Sequence, residues 1–205
     1  MLLIVSGASG AGKSTLCHRL MSEFPELQMS VSYTTRPPRG EEQPGQDYHF
    51  VEEAEFRRMI ESGAFAEHAE VHGNLYGTAQ DSIDKLRAAG ASVLFDIDYQ
   101  GARALLAAYP NALSVMVLPP SMEVLEARLR GRGTDAETVI QRRLAKARAE
   151  IGHYRMFEYL VVNAEVHQAY DRLRAIYVAA RQRTARIGAV AEQLIAEGAA
   201  TDEPN

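Results

Sequence analysis

Residues 7–14 read Gly-Ala-Ser-Gly-Ala-Gly-Lys-Ser, a G-x-x-x-x-G-K-S turn directly behind the apolar run 2–5. Glycines at this spacing let the backbone curl until successive N–H groups face inward, and a helix N-terminus behind that ring favours polyphosphate. In such a loop Gly7, Ala8, Ser9, Gly10, Ala11, Gly12 and Thr15 cradle the phosphates. Lys13 sets a point charge on the β- and γ-phosphates, and the Ser14 hydroxyl is a Mg²⁺ ligand. The chemistry implied is the use of a nucleoside triphosphate. Three other groups could act beside it. Arg36 and Arg39, stiffened by Pro37-Pro38, can fork onto phosphate oxygens, or can stand on a solvated loop. Asp96 and Asp98 end an apolar run, and alternation puts both on one face about 6.6 Å apart in rise. Asp98 could instead cap the helix that starts near Tyr99. Residues 128–133, Arg-Leu-Arg-Gly-Arg-Gly, break a helix inside an arginine cluster, and Thr134 with Glu137 has the form of a capping box for the next helix. His68 and His72 do not make a metal site: four strand positions span about 13 Å, too far for one ion.

The elements that must carry these residues alternate. Strand-length apolar runs at 2–5, 92–98, 113–118 and 159–162 are separated by helical stretches, the pattern of an α/β fold with a parallel sheet wrapped by helices. Residues 30–80 interrupt that rhythm with Pro37, Pro38, Gly40, Pro44 and Gly45, and with a short helix around 53–61, as an inserted subdomain would. From Tyr170, the residues Tyr170, Leu173, Tyr177, Ala180, Thr184, Ile187, Ala191 and Leu194 recur at steps of three and four, which predicts one long amphipathic helix. That helix packs on its own core or joins copies of the chain. Residues 199–205 read as a tail.

Composition narrows the class. The chain has 205 residues and a formal net charge of −5, which argues against duplex nucleic acid as a partner. One cysteine, Cys17, leaves no internal disulfide and suits a reducing compartment. No apolar run nears the roughly 18 residues of a membrane span, so no membrane partner and a cytoplasmic location are expected.

The chain resembles guanylate kinases. The resemblance rests on Ser30-Val-Ser-Tyr-Thr-Thr-Arg-Pro-Pro-Arg39, Gly45-Gln-Asp-Tyr-His-Phe-Val51, Gly73-Asn-Leu-Tyr-Gly-Thr78, Asp96-Ile-Asp98 and Gly131-Arg-Gly-Thr134, in order and in spacing. It implies a P-loop core (1–31, 80–124 and 155–182), a GMP-binding insert (32–79), a helical lid (125–154) and a C-terminal extension (183–205). It further implies that Arg36, Arg39, Tyr48 and Tyr76 hold the GMP phosphate, that Glu67 accepts from guanine, and that Ser32 and Thr78 donate to the O6 side. Guanine offers two donors beside one acceptor, the complement of a carboxylate beside hydroxyls. Asp96 and Asp98 would orient the acceptor and the arginines, with Asp98 also holding Mg²⁺ through water. Arg128, Arg132 and Arg143 match the lid arginines that reach the transferring phosphoryl group, whereas Arg142, Lys146 and Arg148 read as a solvated face. Glu41, Leu75 and Ala164-Glu165 depart from the family pattern and touch none of these roles.

The activity implied is phosphoryl transfer from Mg²⁺-ATP to GMP, or also dGMP, giving ADP and GDP. No general base is needed, because a phosphate oxygen is already a nucleophile. Two rivals remain at this stage: an interaction domain without catalysis, which would not need Lys13, and a ribose bisphosphate kinase, which would not need Ser32, Glu67 and Thr78.

Overall fold

The computed structural model describes residues 1–71, 73–131 and 136–201, with side chains to residue 197. The chain runs β1 (Leu2–Ser6), α1 (Lys13–Glu23), β2 (Leu27–Met29), β3 (Tyr33–Thr34), β4 (His49–Phe50), α2 (Glu53–Glu61), β5 (Phe65–Val71) and β6 (Asn74–Ala79). It continues through α3 (Gln80–Ala88), β7 (Ser92–Asp96), α4 (Tyr99–Ala108), β8 (Leu113–Leu118), α5 (Met122–Arg130), α6 (Glu137–Ile151), β9 (Tyr159–Val162), α7 (Val166–Arg181) and α8 (Thr184–Thr201).

Among the described residues, five strands form a parallel sheet in the order β2-β7-β1-β8-β9. The central strands are apolar because helices cover both faces, and their residues divide with the two-residue period of a strand. Leu3, Val5, Leu94 and Val115 pack towards Leu16, Leu20, Leu173 and Tyr177 of α1 and α7. Their neighbours Ile4, Val93, Phe95 and Met116 pack the other way, towards Ile83, Ala102 and Leu105 of α3 and α4. From β1 the chain runs to β2 and then β7 on one side and later to β8 on the other, so the crevice at the C-terminal end of β1 is where this topology binds ligands.

Two smaller bodies flank that crevice. Residues 33–79 supply a second sheet in the order β4-β3-β6-β5, with Phe56 of α2 fully buried and stacked on Phe65 at 4.5 Å between ring centres. Across the crevice, α5 and α6 close a cluster of Leu125, Leu129, Ile140 and Leu144 over Ala8 of the glycine loop.

Two local expectations are corrected, and a third falls partly outside the described residues. The strand expected over 92–98 stops at Asp96, because Asp98 is the N-cap of α4 and its carboxylate takes the N–H groups of Gln100 and Gly101, each at 3.0 Å. Among the described residues, the N-cap of α6 is Ala136, and the Glu137 carboxylate accepts from Arg130 and Gln141. Thr134 lies outside the described residues. The single helix expected from Tyr170 breaks at residues 182 and 183. Tyr170, Leu173, Tyr177 and Ala180 of α7 are buried on the sheet, but Ile187 and Leu194 of α8 are exposed, since that helix has run past the sheet it would need to cover. No described helix is long and apolar enough to cross a membrane.

Candidate active site

The glycine loop is fixed by its two ends. β1 is buried throughout, α1 begins at Lys13, and between them Gly7, Gly10 and Gly12 all take positive φ. Gly12 is the N-cap of α1, at φ +93°, and a Cβ there would lie 2.3 Å from Asn163 Nδ2. Only glycine meets both demands. The same Asn163 nitrogen donates to Ala11 O at 2.8 Å, so the loop is clamped from the end of β9. Lys13 Nζ reaches back over the loop to Gly7 O at 2.6 Å, and Ser14 Oγ donates to Asp96 Oδ2 at 2.6 Å. That second bond exists because β7, which ends at Asp96, lies directly beside β1. Ala8 and Ala11 are fully buried and shape the loop, while Thr15 is exposed in the first turn of α1.

From this loop a cleft of about 270 Å³ runs to the second sheet. The core lines it with Lys13, Ser14, Asp96 and Asp98, and the insert with Ser32, Tyr48, Glu67 and Tyr76. Ala69, Val71 and Ile97 add an apolar wall suited to a flat ring. Glu67 is only 6% exposed and accepts from Thr78 Oγ1 at 2.6 Å. Burial, with a further push from the Asp98 charge, raises its carboxyl to about 7 against the opposing bonds from Thr78. Behind the other oxygen sits Gly101, where an added Cβ would come within 2.7 Å of Oε2.

Arg36 and Arg39 stand outside the cleft lining. Arg36 is buried, its fork bonded to both oxygens of Glu42 at 2.9 and 3.0 Å, its Nε to Tyr76 Oη at 3.2 Å, and its guanidinium 5.3 Å from the Tyr48 ring centre. Partial burial alone would raise the Glu42 carboxyl, but the Arg36 fork and the Arg39 N–H hold it below the usual range. The Arg39 side chain is exposed. The two tyrosines meet edge to face at 5.9 Å, so Arg36 braces the pair from behind.

On the helical side, Arg143 Nη2 donates to Ser9 Oγ at 2.6 Å, which brings α6 onto the glycine loop. Arg128 Nη2 donates to the Asn163 carbonyl at 2.8 Å. Arg132 lies outside the described residues, as does His72, while His68 sits on the exposed face of β5.

Several residues of the site were not foreseen. Asn163 ties the glycine loop to Arg128, and Glu42 engages Arg36. Lys146 and Glu150 line the cleft from α6, although Lys146 reads in sequence as solvated. The available signal was spacing: Lys146 lies three residues beyond Arg143 and Glu150 four beyond Lys146, all on one face of a helix.

The chain is similar to known proteins of one family. The sequence model of the family described as guanylate kinase matches residues 1–180. The chain is 51% identical over 175 residues to a guanylate kinase of Dechloromonas aromatica, covering 85% of this chain and 87% of that protein. It is 47% identical over 188 residues to a guanylate kinase of Myxococcus xanthus, covering 91% and 90%. The crystal structure of guanylate kinase from Anaplasma phagocytophilum superposes with a TM-score of 0.74 at 33% identity, over 91% of this chain and 88% of that one.

Proposed function

Because the chain belongs to the guanylate kinase family, we propose that this cleft holds ATP on the glycine loop and GMP against the second sheet, with transfer between them. The chain is a nucleoside monophosphate kinase that phosphorylates GMP from ATP. The observation that carries the residue assignment is that Lys13 and Ser14 line the same cleft as the buried Glu67.

In this reading Gly7, Ala8, Ser9, Gly10, Ala11, Gly12 and Thr15 surround the donor phosphates and Lys13 neutralises them. Glu67, set by Thr78, takes the guanine N1–H and amino donors, and Ser32 faces the O6 side. Tyr48 and Tyr76 present hydroxyls to the acceptor phosphate, with Arg36 behind them and Arg39 closing from the exposed loop. Arg128, Arg132 and Arg143 bring positive charge from the lid. Positioning and charge neutralisation account for the rate, since the acceptor oxygen needs no base.

Mg²⁺ fits the residues present. Ser14 Oγ and Asp96 Oδ2 lie side by side at 2.6 Å, an all-oxygen pair of the kind Mg²⁺ shares with phosphates and water. When bound with ATP the ion supplies neutralisation of the β- and γ-phosphates. The geometry favours Asp96 over Asp98 for this role, because the Asp98 carboxylate is engaged by the first turn of α4 and by Gln100 Nε2 at 3.1 Å.

The exposed Ile187, Val190, Leu194 and Ile195 support reading α8 as a contact between copies of the chain rather than as part of the core. Removal of residues 184–205 should then lower the molecular mass measured by light scattering and leave activity in place. A mass unchanged by the truncation rejects that reading of α8.

The function is tested by coupled ADP release over GMP, dGMP, AMP, UMP and ribose 1,5-bisphosphate. GMP should be turned over fastest, AMP and UMP hardly at all. Faster turnover of ribose 1,5-bisphosphate would overturn the reading.

A further inference from the structure

We propose that Lys146, on the inner face of α6, is a further phosphate-contacting residue that places its ammonium on the transferring phosphoryl group, with Glu150 as its positioning residue. The inference rests on the functional reading above and extends it to two residues outside the arginine set.

Lys146 follows Arg143 by three positions, so the two side chains leave α6 in nearly the same direction. Arg143 bonds Ser9 of the glycine loop, and Lys146 lines the cleft with Ser9, Lys13, Asp96 and Asp98. The orientation of the helix is not free: Leu144 and Ala147, which flank Lys146 on the buried side, pack with Ile140 in the cluster that closes over Ala8. With 28% of its side chain exposed, Lys146 is neither a solvated surface lysine nor a core residue.

Glu150 explains why the ammonium stays there. One turn further along, it is 8% exposed, an unusual place for a carboxylate unless cations face it. Burial pushes its carboxyl up, and Lys146 and then Lys13 oppose that push, so the group lies within the field of both cations. Its contact with Lys146 is 3.6 Å, wider than a normal hydrogen bond. Glu150 therefore draws the lysine along the inner face without consuming its donors. An ordinary exposed i,i+4 pair would hold neither residue inside the cleft.

Sharing the cleft lining with the donor lysine and the two aspartates assigns Lys146 to charge that develops during transfer, not to the adenine or guanine end. The test is steady-state kinetics of the full chain with Mg²⁺-ATP and GMP for Lys146→Ala, Lys146→Arg, Glu150→Gln and, as a control, Lys13→Ala. Loss of one preorganised donor to a charged transition state should lower kcat and kcat/KM together in Lys146→Ala by about tenfold or more, with both KM values within about twofold. Lys146→Arg should recover most of the rate. Glu150→Gln should lower kcat less than Lys146→Ala does, again at unchanged KM. A Lys146→Ala enzyme with wild-type kcat, or one defective only in KM or in thermal stability, overturns the proposal. If that happens while the wild-type enzyme phosphorylates GMP and Lys13→Ala is inactive, only the role of Lys146 falls. A wild-type chain that leaves GMP untouched brings down the functional reading itself.

Discussion

The carboxylate proposed to read the base is where single atoms matter most. Glu67 is held near its titration point by burial, yet guanine presents donors that only the ionised carboxylate can accept in pairs. GMP binding should therefore expel protons from Glu67 at and below about pH 7. Calorimetry in two buffers of different ionisation enthalpy should detect that release in the wild type and lose it in Glu67→Gln. Stability has the opposite sign. A carboxyl raised from 4.5 to about 7 on folding binds more protons in the folded state, so its contribution is full below 4.5 and is lost as pH rises through about 7. The free enzyme should lose more thermal stability between pH 5 and pH 8 than Glu67→Gln does. The same substitution leaves one guanine donor without its charged acceptor, about 1.5–3 kcal/mol, and should cut kcat/KM for GMP by roughly ten- to 150-fold. Unchanged efficiency would remove Glu67 from base recognition. Gly101 gives an independent check. In Gly101→Ala the new Cβ would come within 2.7 Å of Glu67 Oε2, and the Thr78 bond on the other oxygen limits its escape. KM for GMP should rise about tenfold at unchanged KM for ATP, since the displaced carboxylate loses one charged hydrogen bond.

At the scale of elements, the site is held by strand ends and helix starts meeting across the sheet. β1 runs into the glycine loop, β7 delivers Asp96 beside Ser14, and β9 is followed directly by Asn163, whose side-chain amide and backbone carbonyl hold Ala11 and Arg128 respectively. These contacts are separable. Asn163→Ala removes the bond to Ala11 but keeps the backbone carbonyl that takes Arg128. It should cost about 1 kcal/mol at the loop, which corresponds to roughly fivefold in ATP affinity, with GMP affinity unchanged. Equal losses of both affinities by calorimetry would mean that β9 supports the whole cleft and not the loop alone.

For the molecule as a whole, the proposed arrangement puts the donor site on the parallel sheet and the acceptor site on the second sheet, with α5 and α6 packed over the glycine loop. If donor and acceptor contacts come from different parts of the fold, as proposed, they should fail independently. Lys13→Ala should reduce turnover by several orders of magnitude, as loss of charge on the donor phosphates implies. GMP binding measured alone by calorimetry should be nearly intact. A GMP affinity that falls as far as the rate would contradict the division of the cleft between core and insert.

The amino-acid sequence by itself determined what depends on neighbours along the chain. The glycine loop could be read because its glycines, lysine and serine act through local backbone curvature. The strands of the central sheet could be read because burial on both faces leaves them apolar, and α2 because its pattern is helical over its own length. Register with a known family added Ser32, Tyr48, Glu67 and Tyr76, which the fold brings into one cleft with Lys13 and Ser14. The tertiary structure alone decided what depends on residues far apart. Whether Asp98 ends a strand or caps a helix turned on the N–H groups of α4, and whether Ser14 faces Asp96 turned on β1 pairing with β7. The periodic stripe from Tyr170 to Leu194 looks uniform, yet only its first half is buried, because periodicity reports a helix and not the extent of the surface available to cover it. Lys146 is the same case in reverse: a lysine among basic neighbours carries no local mark of burial, and it faces the cleft because α6 packs its apolar side onto the glycine loop.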